Sequence, residues 1–189
     1  MTKKEMCVAL AKDAIKHVKT EKFTVAKGAY CVPEYEEDGV VYYNRHIPTG
    51  LQLDEILVKP TATCRICALG GLLAMYALRK DDTTIDQSCD RSEIVKRLGK
   101  YFATHELDVI ETTFEGPKFV RGGPCGIEGC ETCIGVELQP FIGGDFTQPE
   151  LKACKKFHEK YAEDEKRFIA IMRNIVRNEG TFKLPGLKK

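Results

Sequence analysis

Cys64 and Cys67 form one C-x-x-C, Cys130 and Cys133 form a second, and Cys125 lies just upstream of the second pair. Two intervening residues let both sulfurs of a pair reach one ion from a tight turn. Zinc takes four soft or borderline ligands in a tetrahedron, with sulfur at about 2.3 Å. Cys64, Cys67, Cys130 and Cys133 are therefore the expected zinc ligands, with Cys125, Cys31 or Cys89 able to substitute. The two pairs stand more than 60 residues apart, farther than in a zinc ribbon, so such a site would pin distant parts of the chain together. Cys7 and Cys154 stand alone and read as isolated buried thiols. The nine cysteines are an odd number, so a closed disulfide framework would leave one thiol over.

A second chemistry is open to the same residues. A C-x-x-C that follows a strand and opens a helix has the local geometry of dithiol oxidoreductases. Cys64 would then be the exposed nucleophile and Cys67 its buried partner. No β-α-β pattern precedes the motif, which argues against that use. Other enzyme signatures are missing. A zinc deaminase needs H-x-E with P-C-x-x-C, whereas Pro124-Cys125 meets its next cysteine five residues on and no H-x-E occurs. His105-Glu106 and His158-Glu159 both lack the second histidine of H-E-x-x-H, and there is no phosphate-binding G-x-x-x-x-G-K-[S/T] loop. Tyr43, Arg45 and His46 mix an aromatic ring with two anion-binding groups. They form a candidate contact set for a planar or phosphorylated ligand, while an exposed hairpin strand explains them as well and is the favoured reading.

The elements that must position these residues follow from periodicity. Val8, Ala11, Ala14, Ile15 and Val18 recur at helical spacing and predict an amphipathic helix over residues 3–20. Residues 29–47 are rich in β-favouring types around Glu36-Glu37-Asp38-Gly39, which predicts a hairpin. Asp54–Val58 reads as a short strand ended by Pro60. Residues 63–78 are apolar nearly all round and read as one central helix capped by Thr63. Gly70 and Gly71 inside it indicate a closely packed neighbour. Asp90 with Glu93 opens a helix to about Thr104, and Leu107–Phe114 continues as a second. Thr147 and Pro149 open the last helical region, two helices or one bent one, with Phe168, Ile169, Met172, Ile175 and Val176 as its core stripe and Gly180 as its stop. Lys183 to Lys189 reads as a frayed tail. Residues 116–145 hold eight of the sixteen glycines and three cysteines. Such an excursion buries little apolar surface and needs something else to order it.

The expected fold is α+β, a mainly helical single domain over residues 1–189 with a small β-hairpin and the Gly/Cys-rich excursion at its edge. The chain is 43% hydrophobic and 30% charged, with a net charge of +1. A basic nucleic-acid face is not forced by that balance. No apolar run reaches the roughly 18 residues of a membrane span, and the first residues lack an apolar leader. Reduced thiols and these absences indicate the cytoplasm.

Cys64-x-x-Cys67-Ala68-Leu69-Gly70-Gly71-Leu72 resembles the C-x-x-C-A-x-G-[A/G]-L segment of a family of small uncharacterised bacteriophage and prophage proteins. Ile110-Glu111-x-x-Phe114-Glu115, followed by Ile171-Met172-Arg173-Asn174-Ile175-Val176-x-Asn178-x-Gly180-Thr181-Phe182, resembles the C-terminal pattern of the same group. In pieces, the resemblance covers about half of the chain. It implies a phage-related origin, a host-cytoplasmic setting and a shared helical core, and it carries over no catalytic residue. The expected function is a zinc-stabilised binding protein acting on a host protein or a small ligand, for example in host-defence inhibition. A thiol-based redox role for Cys64/Cys67 and sequestration of a nucleotide signal are the alternatives.

Overall fold

The computed structural model describes residues 1–43, 59–80, 91–121, 136–141 and 144–187. Helix α1, Lys3–Lys19, begins at a capping box between Thr2 and Glu5, which satisfies two otherwise orphaned amides. It buries Met6, Leu10, Ala11, Ala14 and Val18. Strands β1 (Phe23–Val25), β2 (Val32–Glu37), β3 (Val40–Tyr43) and β4 (Thr63–Ile66) form one mixed sheet in the order β1-β4-β2-β3. β2 and β3 are the expected hairpin, pairing Glu37 with Val40. Asp38 and Gly39 both take positive φ, 53° and 77°, as a two-residue I′ turn requires.

The helix expected from Thr63 begins only after Cys67. Thr63–Ile66 is strand β4, parallel to β1 and antiparallel to β2. The physical reason is pairing on both edges, which outweighs local helix propensity. A period-2 signal was present, since Ala62, Cys64 and Ile66 point inward while Arg65 is exposed. Helix α2, Ala68–Lys80, then runs through the centre with every residue from Ala68 to Ala77 buried. Helix α3 is Arg91–Leu98 and α4 is Thr104–Glu115. The first therefore ends at Gly99 rather than near Thr104, and the second is a turn longer than its apolar stripe indicated. Lys118–Arg121 (β5) and Val136–Gln139 (β6) pair antiparallel at the base of the glycine-rich segment.

The last helical region is two helices. α5, Gln148–Lys160, starts at a capping box of Thr147 and Glu150, and α6 is Asp164–Arg177. α6 buries Phe168, Ile171, Met172 and Ile175. Gly180 stops the region with φ +92°, against Lys4 of α1. The tail is held at its start, where Lys183 exchanges two hydrogen bonds of 2.8 Å with the Asn174 side chain. The result is an α+β, mainly helical fold around one large core cluster, with a small second cluster at Tyr35 and Ala62. No described helix is long and apolar enough to cross a membrane. The expected strand at 54–58 and the cap at Asp90 lie outside the described residues.

The two helical glycines serve different neighbours. A Cβ on Gly70 would fall onto the Tyr30 carbonyl and stand 2.8 Å from its Cα, whereas one on Gly71 would meet the Phe168 ring at 2.8 Å. Helix propensity alone favours Ala over Gly by about 1 kcal/mol. Backbone cannot yield as a ring can, so Gly70→Ala is expected to destabilise the fold by at least about 3 kcal/mol, the upper end of overpacking costs. Gly71→Ala should cost about 1–2 kcal/mol. Urea unfolding of both variants measures the contrast, and a stabilised Gly70→Ala would contradict the described approach.

Candidate functional site

α4 places Asp108, Glu111 and Glu115 at i, i+3 and i+7, so the three carboxyl groups share one face. That face is turned inward. Asp108 is 6% exposed and Glu111 2%, and carboxylates are rarely buried so deeply without a partner. Three segments supply partners. Tyr30, brought close by its contact with Gly70, donates its hydroxyl to Glu111 Oε1 at 2.5 Å. Arg91, the first residue of α3, donates to Asp108 Oδ1, and its Nε lies 3.7 Å from Glu111 Oε2. The Gly28 amide donates to Glu115 Oε1 at 3.0 Å.

The pairing is incomplete. Glu111 Oε2 and Arg91 Nε are buried and neither makes a hydrogen bond. Burial pushes the Glu111 carboxyl above its ordinary value, against the lowering pull of Tyr30 and Arg91. Burial raises Glu115 too, opposed by the Gly28 amide and by Lys27. Tyr30 is raised by burial and then by its bond to Glu111, so it stays a protonated donor. With Asp164 counted, four carboxyl groups therefore face three cations, Arg91, Lys27 and Arg167. One negative charge is left over, to be met by a proton or by a bound cation.

His158 does not supply that cation. Its Nε2 lies 3.2 Å from Lys27 Nζ and its Nδ1 lies 3.3 Å from Thr113 O. Lys27 has only protons to give, so Nε2 accepts and Nδ1 carries the ring hydrogen. Burial, with Arg167 and Lys27 nearby, lowers its pKa and keeps the ring neutral. Below it, Arg167 is 1% exposed and closes the end of α4. It donates to Phe114 O at 3.0 Å, to Asp164 at 2.8 Å and to Ala162 O at 2.7 Å.

The cysteines divide differently from their spacing. Cys64 lies in β4 and its sulfur is 3.2 Å from that of Cys31, at the start of β2. Cys67 follows β4, and its sulfur accepts the Gly70 amide at 3.4 Å. Cys64 and Cys67 are 0% and 1% exposed, so an exposed nucleophile at Cys64 is not what the fold shows. Burial raises the Cys67 thiol, and the bond to Cys64, then burial, raises Cys31. Cys7 and Cys154 are buried thiols as expected, each pushed up to about 11 by burial. Among the described residues no group of three or more metal-binding side chains is arranged around an ion position. Cys89, Cys125, Cys130 and Cys133 lie outside them, as do Arg45 and His46. Tyr43 ends β3 with its backbone paired to Glu34.

Asp108, Glu111, Glu115, Tyr30 and Arg91 are not among the residues that motif reading selects for a site. One signal was available: residues 104–115 hold four acidic residues and no lysine or arginine, an unusual bias for a helix with a solvated polar face. Compared with protein-family models, curated proteins and solved structures, the chain matches none.

The raised carboxyls set a pH dependence. Folded Glu111 and Glu115 hold protons more tightly than the unfolded chain does. Stability therefore falls as pH rises from the ordinary carboxylate value of 4.5 through the raised folded values. Glu111→Gln removes one such group and should flatten that part of the profile. Thermal midpoints of both proteins between about pH 4 and pH 7 measure it, with the His158 contribution common to both. An unchanged difference between the two across that range would refute the assignment.

Proposed function

We propose that this protein binds a small organic cation, with Glu111 as its principal contact. The observation that supports the reading is Glu111 Oε2, a buried carboxylate oxygen that makes no hydrogen bond and stands 3.7 Å from Arg91 Nε, in a cluster with one negative charge in excess. A primary ammonium or guanidinium supplies both a positive charge and N–H donors, which a proton on the carboxyl does not. Tyr30 fixes one oxygen of Glu111, and the other, which faces Arg91 at ion-pair distance without a hydrogen bond, is the one offered to the ligand. Asp108 and Glu115, held by Arg91 and Gly28, frame the position along α4. The described cysteines are all buried, which favours binding over turnover. The resemblance to small phage proteins is compatible with sequestering a host metabolite.

Thermal-shift and calorimetric titration with a panel of alkylamines and guanidines tests this. One class of cation should stabilise the protein by mass action, more strongly above the Glu111 titration than below it. Glu111→Gln should remove the effect. Equal response of the variant, or no response to any cation at millimolar concentration, would reject the reading.

A structural zinc is a second reading, favoured by the close Cys31–Cys64 sulfur pair. Thiolates around one zinc sit about 3.8 Å apart, near the observed 3.2 Å. Those two sulfurs would be joined by cysteines of the glycine-rich segment, Cys130 and Cys133 first. Metal analysis of the purified chain should give about one zinc, lost in Cys64→Ser and accompanied by a lower thermal midpoint. A metal-free protein whose Cys31 and Cys64 resist alkylation until reduced would instead make the pair a disulfide and end the zinc reading.

A further inference from the structure

The outer face of α6 carries a second site, remote in character from the acidic one. Its inner face is spent on the core, where Phe168, Ile171, Met172 and Ile175 are buried. The outer face lines an open cavity of about 280 Å³ with Lys166, Ile169, Ala170, Arg173 and Arg177, and Tyr161 from the α5–α6 turn lines it too. Arg173 and Arg177 are four residues apart, which sets them one above the other about 6 Å along the axis. Neither has an acidic partner among the described residues, whereas Lys166 is held at 2.6 Å by Glu163. The lining contains no carboxylate.

Other exposed cations, Arg65 and Lys12 among them, also stand outside the ion pairs of the described residues, so what singles out Arg173 and Arg177 is their place together on one wall of the cavity. Guanidinium forks match the oxygens of a phosphate, each giving two parallel N–H donors. Ile169 and Ala170 supply apolar lining beside them, next to Tyr161, whose ring also packs on Phe157 and lies 5.4 Å from Lys160 Nζ. The volume suits one small phosphate ester and not a polymer; the +1 net charge of the chain gives no wider basic field for a nucleic acid.

We propose that this cavity is a binding site for a phosphate monoester with a small aromatic or aliphatic body, its phosphate held by Arg173 and Arg177 and its body laid on Tyr161, Ile169 and Ala170. The site is independent of the acidic face of α4, so either can fail alone.

Calorimetric titration of the intact chain with phenyl phosphate, inorganic phosphate and phenol tests this. Phenyl phosphate should bind saturably with Kd below about 1 mM, at least about tenfold more tightly than inorganic phosphate, and phenol should not bind. The double variant Arg173→Gln/Arg177→Gln should weaken phenyl phosphate at least about tenfold with an unchanged thermal midpoint. Lys3→Gln/Lys12→Gln, an equal loss of charge on exposed positions of α1, should bind as the parent does, and so should Glu111→Gln. Equal loss in the α1 control would mean non-specific charge attraction, and equal affinity for inorganic phosphate would mean a bare anion contact; either overturns the proposal, as does the absence of saturable binding.

Discussion

The close approach of Tyr30 to Gly70 sets the geometry on which the rest depends. The Tyr30 carbonyl lies where any side chain at position 70 would stand. Because α2 presents no Cβ there, the segment between β1 and β2 can press against the central helix. The Cys67 amide then bonds to Ala29 O, which fixes the junction where β4 becomes α2. The same approach carries the Tyr30 ring across to α4 and its hydroxyl to Glu111. One missing methyl group thus links the sheet, the central helix and the carboxylate cluster.

The cluster shows why its surroundings are so firmly tied. Buried carboxylates cost free energy unless each finds a donor or a counter-charge. α4 meets that demand with Tyr30, Arg91 and the Gly28 amide from separate parts of the chain. At its end, Arg167 takes the Phe114 carbonyl and the Ala162 carbonyl together, joining α4 to the turn before α6. Within that frame Glu111 Oε2 and Arg91 Nε face each other at 3.7 Å, both buried and neither hydrogen-bonded.

Much of this frame was legible in the amino-acid order. The hairpin was marked by Asp38-Gly39, α1 by its apolar stripe and α5 by Thr147 with Pro149, because each depends on local geometry. The glycine pair was legible as close packing, though not its partner. Thr63–Ile66 was misread, since four residues cannot declare whether neighbouring strands will flank them on both sides. The acidic site was missed for a related reason. Its residues come from positions 28–30, 91 and 108–115, and no spacing rule joins them. The cysteine motif led the other way. Its regular spacing drew Cys64 to Cys67, whereas the β2–β4 pairing, with Cys64 opposite Pro33, brings its sulfur diagonally to that of Cys31.

Although the starts of α2 and α4 and the end of α3 fell several residues from where it placed them, the sequence by itself determined which regions carry a helix and most of their apolar faces. These are consequences of side-chain periodicity, caps and turn residues within a few positions of one another. Only the tertiary structure decided that β4 is a strand, that Tyr30 reaches Glu111 and that Arg173 and Arg177 stand without acidic partners among the described residues. Those facts depend on distances between residues far apart in the chain, and such distances exist only once the core has packed.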